Sequence, residues 1–549
     1  MRFELDHDWQ GNMAAPRARV GQRAKVHLLL VLCAIWLCMG LVGHAPWKPN
    51  ESQSISIIQN ILTQGHFVAP LAASQTVLDE PPLYYWSAAA LAKLLVPVVS
   101  THNAARITSG VWMALTLLLI GMTGRELWGR GFGRQTSFIL MGSIGLVVSA
   151  HTLMPAVAAL TAAAMGFYAL ALSRRRPFRA SVMLGSGIGI GFLSAGLLTP
   201  LFVSLTALAL PLLFKHWRSK SYAVVLSLSL LSAAPWLVIW PLVCWFLAPA
   251  SLSDWWQASF LQFGGHYRLY FLRIIAWYAW PALPLAVWGL WRYREQLLSK
   301  PKFQLILTFF AMTLLVLGFG ADGRDIYALP LLLPLTALAG GSVETLKRGA
   351  ASALNWFGLM LFGLLGFVLW LGWFAMMTGS PARLKARMIF LSGSQVYEFN
   401  LFAFVIALIV TLVWVAAIFR SQHTNRSSVT NWAIGMTMTW TILMALWLPW
   451  INAAKSYKPV MMSLNNALPA NYACINTRGV GEGQRDLLDY YTGIVALPLE
   501  IVQRLDCDLY LIQDNRSDTK IEPGQDWKLI WQGKRASERR ESFRLFHHI

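Results

Sequence analysis

The residues able to do chemistry crowd into one stretch, Ala45 to Arg106, of a 549-residue chain. Asn50-Glu51 lies early in it and Asp79-Glu80 follows, in a sequence with only 25 Asp and Glu residues in all. Carboxylates this isolated suit two tasks, taking a proton from a hydroxyl or holding a cation or polar substrate. Pro81-Pro82 and then Tyr84-Tyr85-Trp86 come directly after the second acidic spot. Aromatic rings there can line a lipid or sugar site, although such rings also gather at any membrane interface. Glu51 has a plainer reading as well: an acid in the first turn of a helix, favoured by the macrodipole of the run Ser54 to Leu62. For Asp79 and Glu80 the plainer reading is a pair of solvated loop acids.

Further along, His266 and Arg268 share one polar interval, and Arg324, Asp325 and Tyr327 share another. An imidazole can ligate a metal. A guanidinium presents a planar fork that fits phosphate with two hydrogen bonds. Arg106 opens an apolar run and reads as an anchor whose charged head reaches back to water.

These residues need a scaffold, and composition says which kind. Hydrophobic residues make up 56% of the chain and charged residues 13%, about half the charged share of a soluble domain. Long apolar runs recur, so this is an integral membrane protein. The net charge of +20 comes in short clusters between apolar runs, such as Arg174-Arg175-Arg176 and Lys215 to Lys220. That is the pattern of cytoplasmic loops, and it argues against nucleic-acid binding.

The expected architecture is an all-α polytopic membrane protein of about 13 spans with a small C-terminal extracytoplasmic α/β domain. Residues 1–25 form a cytoplasmic leader, and Val26 to Val42 is an uncleaved first span. The first outer loop, 43–105, carries a surface-lying helix at Ser54 to Leu62 and an interfacial helix at Leu83 to Val99. Spans continue to residue 451, the third of them from Ser137 to Ala150. One outer loop, with Arg383, Lys385 and Arg387, breaks the sidedness rule. Residues 452–549 change to a charged pattern with strand-like runs at Tyr472 to Ile475, Leu509 to Ile512, Lys528 to Trp531 and Phe543 to Phe546. A helix-like run covers Gln484 to Tyr491. Under 100 residues, this domain is expected to rest on the membrane body. Cys474 and Cys507 can pair if the tail is extracytoplasmic, but spacing alone does not fix their distance.

Transporters carry ionisable groups at mid-span. Here those groups collect in the intervals, which favours chemistry at the outer face. The order Pro49-Asn50-Glu51, Asp79-Glu80-Pro81-Pro82-Leu83-Tyr84-Tyr85-Trp86 and Arg324-Asp325-Ile326-Tyr327-Ala328-Leu329-Pro330, with the small tail, resembles the GT-C membrane glycosyltransferases. The resemblance is to the bacterial branch related to the protein mannosyltransferases and the lipid A aminoarabinose transferase. It implies transfer of a sugar from a polyprenyl-phosphate donor to a lipid, glycan or protein acceptor at the periplasmic face of the inner membrane. It further implies that Glu51 with Asn50 handles the acceptor. Glu80 and His266 would hold a divalent metal or the acceptor, with Asp79, Tyr84, Tyr85, Arg268, Arg324 and Tyr327 binding substrate. Departures accompany it: Asn50 stands where relatives carry an Asp base, Met154 near a second family acid, and Ala195 near a lysine. A catalytically impaired relative, binding lipid as a scaffold in envelope polysaccharide assembly, is the alternative.

Overall fold

The computed structural model describes residues 22–73, 75–76, 80–261, 269–393, 398–420, 424–499, 507–515, 523–524, 526–538 and 540–549. Among these, eight helices are long and apolar enough to cross a membrane, or nine if the Tyr270–Tyr278 and Ala282–Arg292 helices, bent by 101°, count as one span. Shorter apolar helices run over Val26–Cys38, Ala156–Leu172 and Leu198–Leu213. A helix suits lipid because its backbone groups pair within the segment. Burial then sorts the spans. Only 6% of the apolar window of Leu401–Arg420 is covered by protein, so this helix faces lipid, whereas Asp325–Thr345 at 89% forms the centre of the body.

The expected single span from Ser137 to Ala150 is broken into helices Phe132–Met141 and Ile144–Ser149. The break has a cause far along the chain. The Trp432 indole donates to the Gly142 carbonyl at 3.0 Å, and a Cβ on residue 142 would lie 2.6 Å from that ring. Ile144 N–H turns instead to the Trp280 carbonyl at 3.1 Å. An indole wedged against the backbone thus ends one helix and starts the next.

The Ser54 to Leu62 run forms a longer helix, Asn50–Gln64, and it does not lie open on a lipid surface. Ile55, Ile57, Ile58 and Ile61 are buried, and so are Ser52, Ser54, Ser56 and Asn60. The helix is enclosed between the Leu83–Leu95 helix on one side and the Glu482–Thr492 helix on the other. Its isoleucines share one apolar cluster with Tyr84 and Tyr85, with Leu487 and Leu488, and with Leu509, Leu511 and Leu545 of the tail. The tail therefore has no separate core on this side.

Residues of the tail form a five-stranded mixed sheet. Its strands are β3 (Ile475–Arg478), β4 (Ala496–Pro498), β5 (Leu509–Asn515), β6 (Trp527–Gly533) and β7 (Glu541–His548), in the order β4-β3-β5-β7-β6. β3 runs parallel to both β4 and β5, while β7 is antiparallel to β5 and β6. The Glu482–Thr492 helix is the β3-to-β4 crossover that a parallel pair requires. A two-stranded ribbon, β1 (Leu71–Ala72) with β2 (Gln75–Thr76), lies in the first loop. Cys474 and Cys507 are disulfide-bonded, joining the entry to β3 to the entry to β5.

The basic segment with Arg383, Lys385 and Arg387 is a short helix, Ala382–Ser392, with all three cations exposed. It lies on the side of the body that bears the tail. Trp450 donates to the Met388 carbonyl at 3.1 Å, and Gly393 abuts Ala536.

Candidate functional site

Glu51 is in the first turn of the Asn50–Gln64 helix and is completely buried. Arg106 meets it squarely: Nε donates to Oε1 at 2.7 Å and Nη2 to Oε2 at 3.1 Å. Trp47 N–H adds a bond to Oε2 at 2.9 Å, and Leu153 N–H one to Oε1 at 3.0 Å. His44 stands 4.0 Å from Oε2. Burial alone would push this carboxyl up. The Arg106 guanidinium, together with His44 and the Trp47 N–H, outweighs it and holds Glu51 below the usual carboxylate range.

That geometry corrects the expectation of Glu51 as a proton acceptor. Each oxygen already takes two N–H donors, no part of the side chain is open, and the charge is locked by its partner. Glu51 is a positioning residue. It ties three chain segments, 44–51, 103–106 and 151–155, into one knot. Arg106 is equally buried and is not a snorkelling anchor. Its Nη1 also donates to the Leu41 carbonyl at 3.1 Å and to Asn103 Oδ1 at 3.1 Å. Sequence reasoning missed this pairing. The available signal was an arginine at the head of a long apolar helix, where an ionisable group needs a partner.

Asn50, one residue before Glu51, is exposed at the helix start. Its Nδ2 lies 3.9 Å from Met154 Sδ. The two positions at which the chain departs from the acids of its resemblance are thus side by side. The third departure, Ala195, ends the Pro177–Ala195 helix, and a Cβ on the next residue, Gly196, would lie 4.0 Å from Pro81. That places it beside the Glu80 segment.

Tyr84 is buried and acts on the same turn from below. Its hydroxyl is 2.7 Å from Ser109 Oγ, which donates to the Thr152 carbonyl at 2.8 Å. Tyr85 donates to Glu80 Oε2 at 3.3 Å, so it orients that carboxylate. Tyr84 is therefore a brace and not part of an open lining. The neighbouring His151 is buried and turned to other partners. Its ring nitrogens face the carbonyls of Val147 at 2.6 Å and Trp36 at 2.7 Å, between the rings of Trp36 and Trp440.

Arg324 and Tyr327 come from a later segment. Arg324 is exposed just before the turn Asp325–Leu331, and that turn packs on the Ile144–Ser149 and Ala156–Leu172 helices, which flank the 151–155 segment. Asp79, His266 and Arg268 lie outside the described residues. Among the described residues, no three His, Cys, Asp or Glu side chains come together as a metal site would require.

The tail meets the knot through its crossover helix. Ser56 donates to Asp489 Oδ2 at 3.1 Å, and His102 Nδ1 lies 2.9 Å from the Tyr490 hydroxyl. Asp486 is buried beside them, and desolvation pushes its carboxyl up to about 7 from 3.8. The native fold then favours the protonated acid. Its contribution to stability is full below the unfolded value and is lost as pH rises toward 7. The melting temperature of the full chain in detergent is expected to fall between pH 4 and pH 8, and Asp486→Asn should flatten that slope. An unchanged slope in the variant would contradict the assignment.

Apolar spans, a polar knot at one end and a small mixed-sheet domain above it make up a fold of the type found in GT-C membrane glycosyltransferases. In sequence the chain is similar to lipid A aminoarabinose transferases of that type. No family model matches it. It is 27% identical over 456 residues to the undecaprenyl phosphate-alpha-4-amino-4-deoxy-L-arabinose arabinosyl transferase of Pseudomonas aeruginosa (strain UCBPP-PA14), covering 78% of this chain and 76% of that one. The protein of the same description from Serratia proteamaculans (strain 568) is 23% identical over 359 residues, covering 62% and 63%. The fold is similar to crystal structures of ArnT from Cupriavidus metallidurans. With undecaprenyl phosphate bound the TM-score is 0.67 at 14% identity, covering 96% of this chain and 98% of that one. The apo state gives 0.68.

Proposed function

We propose that the protein moves a sugar from a polyprenyl-phosphate donor to a lipid, glycan or protein acceptor. In this reading it works at the periplasmic face of the bacterial inner membrane, with its N-terminus cytoplasmic and its C-terminal domain periplasmic. The observation that carries the reading is the knot itself. Asn50, Glu51, Arg106 and the 151–155 turn meet beneath a tail domain, in a chain related over most of its length to undecaprenyl-phosphate aminoarabinose transferases. The activity for which those relatives are named makes an undecaprenyl-phosphate-linked aminopentose the first donor to try.

In the reaction the bond from the sugar's anomeric carbon to the phosphate oxygen breaks, and the electron pair leaves with the lipid phosphate. The acceptor oxygen forms the new bond and gives up its proton. Cations stabilise the departing phosphate, and Arg268 and Arg324 are assigned that task. Glu80, oriented by Tyr85, is assigned to the acceptor or, with His266, to a divalent metal that would add positive charge at the phosphate. Asp79 and Tyr327 are assigned to substrate binding. Glu51 sets the position of Asn50, whose amide can bind a hydroxyl but cannot take its proton.

The second reading, a catalytically impaired relative that binds lipid as a scaffold in envelope polysaccharide assembly, rests on the Asn50–Met154 contact alone. Sugar transfer by the purified chain in lipid, across a panel of labelled polyprenyl-phosphate sugars, separates the two. Turnover with at least one donor is expected. Lipid binding with no turnover from any donor would contradict the enzyme reading.

A further inference from the structure

Lys48 lies two residues before Asn50, and its environment is built largely by the tail domain. Its ammonium is 3.7 Å from Glu541 Oε1 at the start of β7, and 5.0 Å over the Tyr457 ring. Glu541 itself is firmly held. Its Oε1 accepts from Gln484 Nε2 at 2.6 Å and from Gln513 Nε2 at 3.1 Å, while Oε2 accepts from the Tyr457 hydroxyl at 2.7 Å. Arg535 Nη2 stands 3.6 Å from Oε2. The carboxylate is therefore fixed without Lys48, and Lys48 is the member of this cluster that leans on it.

A second contact comes from Gly483, at the start of the crossover helix. A Cβ there would lie 3.3 Å from the Lys48 Cγ and Cδ and 2.7 Å from Ser52 Oγ. The helix end thus presses on the lysine stem, and only the absence of a side chain lets it come so close. The Lys48 side chain nevertheless keeps 31% of its surface open, against 10% for Glu541. A cation with its stem gripped, its head partly open and Asn50 two residues away is placed to meet an anion.

We propose that Lys48 is a phosphate-binding residue of this site, and that the tail domain's task is to hold its ammonium in place. The ligand class is a phosphate monoester or diester on a lipid, and the assignment rests on the polyprenyl-phosphate reading above. A lysine ammonium binds phosphate as a point charge, so Lys48 adds to arginine contacts without needing their planar geometry.

The test is the dissociation constant of undecaprenyl phosphate for the full chain in nanodiscs of zwitterionic lipid, with melting temperature recorded for every variant. Lys48→Met is expected to weaken binding about tenfold, the scale of one charge-assisted contact, and Lys48→Arg to restore most of it. Gly483→Ala presses on Ser52 Oγ and on the lysine stem without changing charge. It should weaken binding in the wild-type background and add nothing in the Lys48→Met background. Added salt should weaken the wild type more than Lys48→Met. A wild type that binds, with the constant unchanged by Lys48→Met, overturns the Lys48 assignment whatever happens to melting. A wild type that does not bind undecaprenyl phosphate contradicts the donor reading, and the Lys48 assignment with it.

Discussion

Arg106→Met should destabilise the folded chain by about 3–5 kcal/mol, because it leaves the buried Glu51 carboxylate without its countercharge. Both side chains are fully buried, so water cannot replace the lost partner. Glu51→Gln should be damaging for the mirror reason. It strands a guanidinium that has no surface exposure, and it puts an NH2 group where the native oxygen accepts N–H donors. The two losses should not add. A Glu51→Gln/Arg106→Met double variant is expected to be less destabilised than the sum of the singles, since removing both charges removes the unpaired one. Thermal and chemical unfolding in detergent measure this directly. A general base at Glu51 would behave differently: Glu51→Gln would abolish turnover and leave the melting temperature unchanged. That pattern would overturn the positioning role.

Asn50→Asp has the opposite sign. The residue is exposed at the start of the Asn50–Gln64 helix, where a negative charge is favoured by the helix dipole, so stability should change by no more than about 0.5 kcal/mol. The new carboxylate would stand where an acceptor hydroxyl can give up its proton. A positioned base contributes about 10²–10⁴-fold to such a step, and transfer to a hydroxyl acceptor should rise toward that range. The rate should also gain an acid limb, falling as pH drops through the carboxylate range. Unchanged transfer with unchanged stability would mean that the acceptor does not bind beside Asn50.

Much of the membrane body was legible because an apolar span is a local property. Its residues need no named partner, and run length alone marks it. The break at Gly142 was not legible, since the Trp432 that causes it lies 290 residues away. β3 begins where the expected run Tyr472 to Ile475 ends, because Asn476 and Thr477, although buried, read as loop residues. β4 spans three residues and the β1–β2 ribbon two per strand, too short for any period to show. At the site, the unusual residues could be picked out singly but not matched. Glu51 stood out as an isolated acid, and Arg106 as a cation at the head of a span. Nothing local says that a helix turn and a span end 55 residues apart close on each other. That closure is what turns an apparent base into a structural tie.

Photo-crosslinking with an undecaprenyl phosphate analogue carrying its reactive group near the phosphate, followed by peptide mapping of the full chain in lipid, tests the placement of the site most directly. Adducts should fall within residues 46–54 and 150–155, and excess undecaprenyl phosphate should suppress them. Competed adducts confined to the Leu401–Arg420 helix or to the opposite end of the body would contradict a donor site at the Glu51–Arg106 knot.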